Sequence, residues 1–221
     1  MSISPKMALL EEYALVARAL SAPARLSILE QLAQGERGVE ALSEKTGLTV
    51  ANCSQHLQQL RRAGLVTNRR DGKAVIYRLS DAKTLALMDL LHIVAERNLA
   101  QVERILRGLS GGEEPPEPVS RAGLATRLAE DSVTVLDVRP ADEYASGHIP
   151  GALNVTLAQL EQIIPTLASD AEIVAYCRGP YCIYAHQAVA VLRRHGLNAR
   201  RLDGGLPEWR EDGRTVLTVK A

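Results

Sequence analysis

The stretch Gly108-Leu109-Ser110-Gly111-Gly112-Glu113-Glu114-Pro115-Pro116-Glu117-Pro118 constrains everything else in the chain. Its glycine, proline and glutamate content cannot form a packed element, so it reads as a linker. No single core can be built across it. The 221 residues therefore divide into two expected domains, 1–107 and 119–221, joined by 108–118. Charge divides at the same place. Residues 1–107 hold 15 Lys+Arg against 11 Asp+Glu, and the remainder holds 11 against 15, within totals of 26 and 26. A basic half joined to an acidic half points to a polyanionic partner for the first. There is no Phe and aromatics make up 3%, so both cores must be aliphatic.

The N-terminus lacks the apolar segment of a signal peptide, and no run of about 18 apolar residues could span a membrane. Three cysteines are too few for a disulfide framework and fit a reducing, cytoplasmic setting. No cofactor and no metal site is expected. Asp89, His92 and Glu96 share one helical face, but a solvated face explains them better than a metal.

In the first half, apolar spacing predicts helices over residues 6–19 and 24–34, separated by Ser21-Ala22-Pro23. Val39–Thr46 reads as a short helix ended by Gly47, and Val50–Ala63 as a second helix ended by Gly64. This is a helix-turn-helix, with the second helix placed to read DNA. Its polar face offers Asn52, Ser54, Gln55, His56, Gln58, Gln59, Arg61 and Arg62. Amides can read base edges in pairs of hydrogen bonds, and arginines can hold guanine or phosphate. Cys53 takes an inward position there. Two strand-like runs, 65–70 and 74–79, flank Asp71-Gly72-Lys73, a hairpin signal. Arg69, Arg70 and Lys73 would put positive charge on this wing, along a phosphate backbone. Residues 81–107 read as one long helix, apolar enough to want a partner helix.

This order resembles the ArsR/SmtB family of winged-helix repressors. The carrying residues are Ala19 to Leu29, Ser54 to Val66, and the wing through Tyr77-Arg78-Leu79. The resemblance implies a homodimer, through the N-terminal helices and the long helix 81–107, on double-stranded operator DNA with an inverted repeat. It assigns DNA contact to Asn52, Ser54, Gln55, His56, Gln58, Arg62, Arg69, Arg70 and Lys73.

The second half alternates strands and helices, which predicts an α/β domain with a parallel sheet covered on both faces. Predicted helices cover 122–130, 157–168 and 183–195; predicted strands cover 133–138, 172–176 and 198–202. Between the strand Glu172–Tyr176 and the third helix lies Cys177-Arg178-Gly179-Pro180-Tyr181-Cys182-Ile183. A cysteine at the carboxyl end of a strand, ahead of a helix N-terminus, sits where such sheets bind ligands. Loop N–H groups and the helix dipole favour an anion there, so Cys177 is expected to have a lowered pKa and to act as a thiolate nucleophile. Cys182 could resolve a Cys177 persulfide by forming a disulfide, or be a packing residue.

This half resembles a rhodanese domain, on Asp137-Val138-Arg139, Glu143-Tyr144, Gly147-His148-Ile149-Pro150-Gly151-Ala152, the Cys177 loop, and Asp203-Gly204-Gly205 with Trp209. The resemblance implies that Cys177 becomes a persulfide, fed by a sulfane-sulfur donor such as thiosulfate, a persulfide or a polysulfide. Asp137, Arg139, Glu143 and His148 then belong to the structural motif. Phosphatases of related fold need an arginine six residues after the cysteine; here that position is Ile183. Two functions follow. One is a transcriptional regulator, a repressor, whose rhodanese domain senses or transfers sulfane sulfur. The other is a sulfurtransferase enzyme whose winged helix serves targeting or dimerisation.

Overall fold

The computed structural model describes residues 4–109, 116–168, 171–179 and 182–219. They form two compact units, 1–88 and 89–221. Residues 110–115 of the expected linker, and Pro180 and Tyr181 of the expected loop, lie outside the described residues.

The first unit runs α1 (Pro5–Leu20), α2 (Pro23–Ala33), β1 (Arg37–Gly38), α3 (Val39–Thr46), α4 (Val50–Arg62), β2 (Val66–Asp71), β3 (Ala74–Leu79) and the start of α5 (Ala82–Asn98). Local chemistry sets the ends of the helix-turn-helix. Gly47 closes α3 in the left-handed region at φ 68°, and the Thr49 side chain caps α4 by accepting from the Asn52 N–H at 3.2 Å. The inward side of α4 is Cys53, Leu57 and Leu60, all fully buried with Ile28, Leu29 and Leu42. Arg25 joins the helices. Its Nε and Nη2 donate to the carbonyls of Ala19 (2.6 Å) and Arg18 (2.7 Å) at the end of α1. Its Nη1 donates to Gln59 Oε1 at 2.6 Å.

β2 and β3 pair antiparallel from Val66↔Leu79 to Asp71↔Ala74, so the turn is Gly72-Lys73, with Gly72 at φ 60°. β1 adds to β3 as a third strand. The expected single helix over 81–107 is instead two, α5 and α6 (Ala100–Leu109), interrupted at Leu99. Apolar spacing runs through the interruption and so cannot report it.

The second unit continues with α7 (Arg121–Ala129), β4 (Val133–Asp137), α8 (Ala141–Ser146), β5 (Leu153–Asn154), α9 (Leu157–Ile163), β6 (Glu172–Tyr176), α10 (Ile183–Arg194), β7 (Ala199–Arg201) and α11 (Leu206–Glu211). The expected helix over 157–168 stops at Ile163 and tightens into a 3₁₀ turn, Ile164–Thr166, with Pro165 inside it. The four strands form one parallel sheet in the order β5-β4-β6-β7. Period-two alternation sends β6 to both faces. Ile173 and Ala175 pack with Leu160, Val189 and Leu192 on one side. Val174 and Tyr176 pack with Leu124, Leu206 and Trp209 on the other. The sheet is therefore covered twice, as its unbroken apolar strands require.

Candidate functional site

On the first unit, one side of α4 is buried and the other is free to meet a partner. Asn52, Gln55, Gln58 and Arg62 are exposed, while Ser54 and His56 are half-buried at the flank. His56 Nδ1 is buried with no hydrogen-bond partner among the described residues, which ties that ring to the interior more than to the outer face. Gln59 is held by Arg25. Arg70 and Lys73 are exposed on the wing. Arg69 is already engaged, donating to Glu36 at 3.1 Å and to Asp71 at 3.0 Å. Cys53 is 0% exposed, and burial pushes its thiol pKa up, so it packs as a small apolar side chain.

On the second unit, β6 delivers Cys177 to the carboxyl edge of the sheet, one residue beyond Tyr176. The loop is gripped from three directions. Arg178 pairs with Glu143: its Nε donates to Oε2 at 2.9 Å and its Nη2 to Oε1 at 2.8 Å. Glu143 is 0% exposed at its side chain and Arg178 11%, so this is a buried ion pair. From below, the Tyr176 hydroxyl donates to Asp137 Oδ2 at 2.6 Å and accepts from the Ile149 N–H at 3.0 Å. Asp137 also holds Arg139, whose Nε donates at 2.9 Å. Arg139 Nη2 goes on to the Gly147 carbonyl at 2.7 Å. Asp137 and Arg139 are wholly buried and never reach the surface, so they anchor rather than react. His148 stacks on Tyr144 and pairs its backbone with Leu217.

From the third direction comes the 203–205 turn. An added Cβ on Gly205 would stand 2.4 Å from the Gly179 nitrogen and 2.5 Å from the Cys177 carbonyl oxygen. Only glycine allows the two backbones to touch. Gly179 itself has φ 141°, and its α-carbon faces the Glu208 carboxyl.

Cys177 is 1% exposed. Its Sγ lies 3.3 Å from the Cys182 carbonyl oxygen. Backbone hydrogen bonds from Ala185 and Gly179 favour the thiolate, as the loop argument requires. Burial outweighs them and pushes the Cys177 thiol well up, with the neighbouring Cys182 thiol adding to the rise. The expected lowered pKa is therefore overturned at Cys177.

Known proteins share both halves. The rhodanese-like domain family matches residues 120–212, and the bacterial regulatory protein, arsR family, matches 22–68. The HTH-type transcriptional regulator Rv0324 of Mycobacterium tuberculosis is 43% identical over 96% of this chain and 92% of its own length. The chain belongs to the arsR family of transcriptional regulators and carries a rhodanese-like domain. Two solved structures are similar to its parts. The homodimeric winged helix-turn-helix DNA-binding domain of a Mycobacterium bovis protein is 40% identical, covering 45% of this chain and 92% of its own, with a TM-score of 0.42. A rhodanese-related protein of Thermoplasma volcanium is 27% identical, covering 48% of this chain and all of its own, with a TM-score of 0.43.

Within this arsR-family chain, two buried titratable groups near the loop escape sequence reasoning. Glu208 is 3% exposed; its Oε2 accepts from the Gly205 N–H at 2.6 Å, while its Oε1 has no partner among the described residues. Burial first, and the nearby Asp89 carboxylate second, push its pKa up to about 7. His186, on α10, is held neutral, its pKa pushed down to about 4 by burial and by Arg201 and His92. Neither carries a motif in this sequence. The sole trace of Glu208 is a charge inside an otherwise apolar Leu206-Pro207-Glu208-Trp209 run. His92 pairs with Glu96 at 3.2 Å. No group of three or more potential metal ligands exists among the described residues, and none of their helices is long and apolar enough to cross a membrane.

Proposed function

We propose that this regulator is a homodimeric repressor. It takes sulfane sulfur onto Cys177 as a persulfide and is controlled by that change. Operator DNA would meet Asn52, Gln55, Gln58 and Arg62 in the major groove, with Ser54 and His56 at the edge and Arg69, Arg70 and Lys73 on phosphate. Dimerisation is supported by large apolar side chains left in solvent. Tyr13 on α1 is 60% exposed and Leu90 on α5 is 59% exposed, with Met7, Leu9, Leu10, Ile93 and Val94 beside them in sequence.

The observation that carries the sulfur reading is the position of Cys177. It directly follows a central strand, where backbone hydrogen bonds from Ala185 and Gly179 favour a negative sulfur. A thiolate at that point attacks the outer sulfur of a donor. With thiosulfate, the S–S bond of the donor breaks, sulfite leaves, and Cys177–S–S⁻ remains.

The test is operator binding by the wild type and by Cys177→Ser, with and without thiosulfate or polysulfide, with intact mass recorded on the same samples. Under this reading the wild type first gains about 32 Da, one sulfur, and loses DNA, while the variant does neither. Sulfur uptake with unchanged DNA affinity would instead favour a sulfurtransferase whose winged helix only targets or dimerises it. Turnover of thiosulfate and cyanide, lost in Cys177→Ser, would then be its defining activity.

A further inference from the structure

Three observations converge on Cys182. It is the N-cap residue of α10, and its own N–H donates to the Gly179 carbonyl at 3.1 Å. Its carbonyl oxygen lies 3.3 Å from Cys177 Sγ, and its thiol is within hydrogen-bonding reach of the Cys177 thiol. Both thiols are buried in one apolar cluster with Ala185 and Val189, at 1% and 5% exposure. Two sulfurs are thus held side by side in a dry site.

We propose that Cys182 is a second reacting thiol, which attacks a Cys177 persulfide at Cys177 Sγ, closes the Cys177–Cys182 disulfide and expels sulfide. This rests on the reading of Cys177 as the sulfur acceptor. The step balances as Cys177–S–SH plus Cys182–S⁻ giving Cys177–S–S–Cys182 plus HS⁻. The bond between Cys177 Sγ and the outer sulfur breaks, and the bond between the two cysteine sulfurs forms. The outer sulfur is reduced to sulfide, and the two cysteines are oxidised together. A dithiol reductant returns the pair to its starting state.

Electrostatics favour the step. A persulfide anion in an apolar cluster carries a desolvation cost, whereas a disulfide is neutral and fits where two thiols already pack. Cys182 also caps the N-terminal, positive end of a twelve-residue helix, beside the sulfur it would attack. The signal that the protein keeps would then be a closed disulfide, and the sulfur atom itself would leave.

The experiment uses the full chain with thiosulfate alone, following intact mass, free sulfide and a proteolytic digest. The wild type is expected to pass through a gain of about 32 Da and to finish about 2 Da below its starting mass, releasing one sulfide per chain. Its digest then carries the 177–182 bridge. Cys182→Ser stops at the gain of about 32 Da and releases no sulfide; Cys182→Ala, which also removes the hydroxyl, behaves the same way. A wild type that keeps the added sulfur, like both variants, overturns the role of Cys182 and leaves the persulfide reading standing. If neither the wild type nor the Cys182 variants gain sulfur, the persulfide reading fails and this step falls with it.

Discussion

Along α4, Asn52, Gln55, Gln58 and Arg62 stand in solvent on one side of a helix, and Cys53, Leu57 and Leu60 fill the core on the other. In the loop after β6 there is no such division. Cys177 is buried, Arg178 is locked to Glu143, and Gly205 lies against the Cys177–Gly179 backbone. On the helix, the groups offered to a partner contribute little to the fold. In the loop, the groups that hold the sulfur are the fold. Substitutions should therefore separate affinity from stability in the first region and merge them in the second.

The largest expected effect is at Asp137. Asp137→Ala strands a fully buried Arg139 and frees the Tyr176 hydroxyl, with a cost of about 4 kcal/mol. Urea unfolding followed at Trp209 measures it. An Asp137→Ala protein as stable as the wild type would show the loop to be independent of its anchor.

Gly205→Ala comes next. The new Cβ meets backbone rather than a flexible side chain, so the loop and the turn must part, at about 3 kcal/mol. Sulfur uptake at Cys177 should fall together with the unfolding midpoint. Uptake unchanged at a lowered midpoint would break the claim that stability and function merge there.

Glu208 gives a pH-dependent effect of about 3 kcal/mol. Its carboxyl is pushed from an ordinary 4.5 up to about 7, with Asp89 raising and Arg121 lowering it. The folded state thus holds a proton that the unfolded state has lost. Stability is unaffected below about pH 4.5, falls as pH rises through that interval, and is fully reduced above about pH 7. Glu208→Gln keeps an acceptor for the Gly205 N–H and removes the slope. Denaturation at pH 5 and pH 8 should show the variant gaining on the wild type at the higher pH alone.

The smallest effect on the fold is at the wing. Arg70→Ala should leave the unfolding midpoint unchanged, weaken DNA uniformly across sequences, and reduce the salt slope of binding by about 1. A lowered midpoint would mean that the wing is part of the folded core after all.

Much of the architecture was legible in local chemistry. Gly47 marks the end of α3, and Gly64 stands just past the end of α4, because capping is decided within a few residues. β6 was legible because a strand buried on both faces must be apolar throughout. The shortest strands, β1 and β5, have two residues each, too few for any periodicity. The break at Leu99 was equally hidden, since apolar spacing continues across it. In the loop, Cys177 and its motif partners were readable, but the direction of Arg178, the buried Glu208 and the raised thiol pKa were not.

The sequence by itself determined a winged helix-turn-helix followed by an α/β domain with a parallel sheet. Those follow from composition, spacing and capping, which act over short stretches of chain. The tertiary structure alone decided how deeply Cys177 is buried, which pushes its thiol pKa up, and which groups hold the backbone around it. Desolvation, and contacts such as Arg178 to Glu143 across 35 positions, exist only once distant segments have closed around the site.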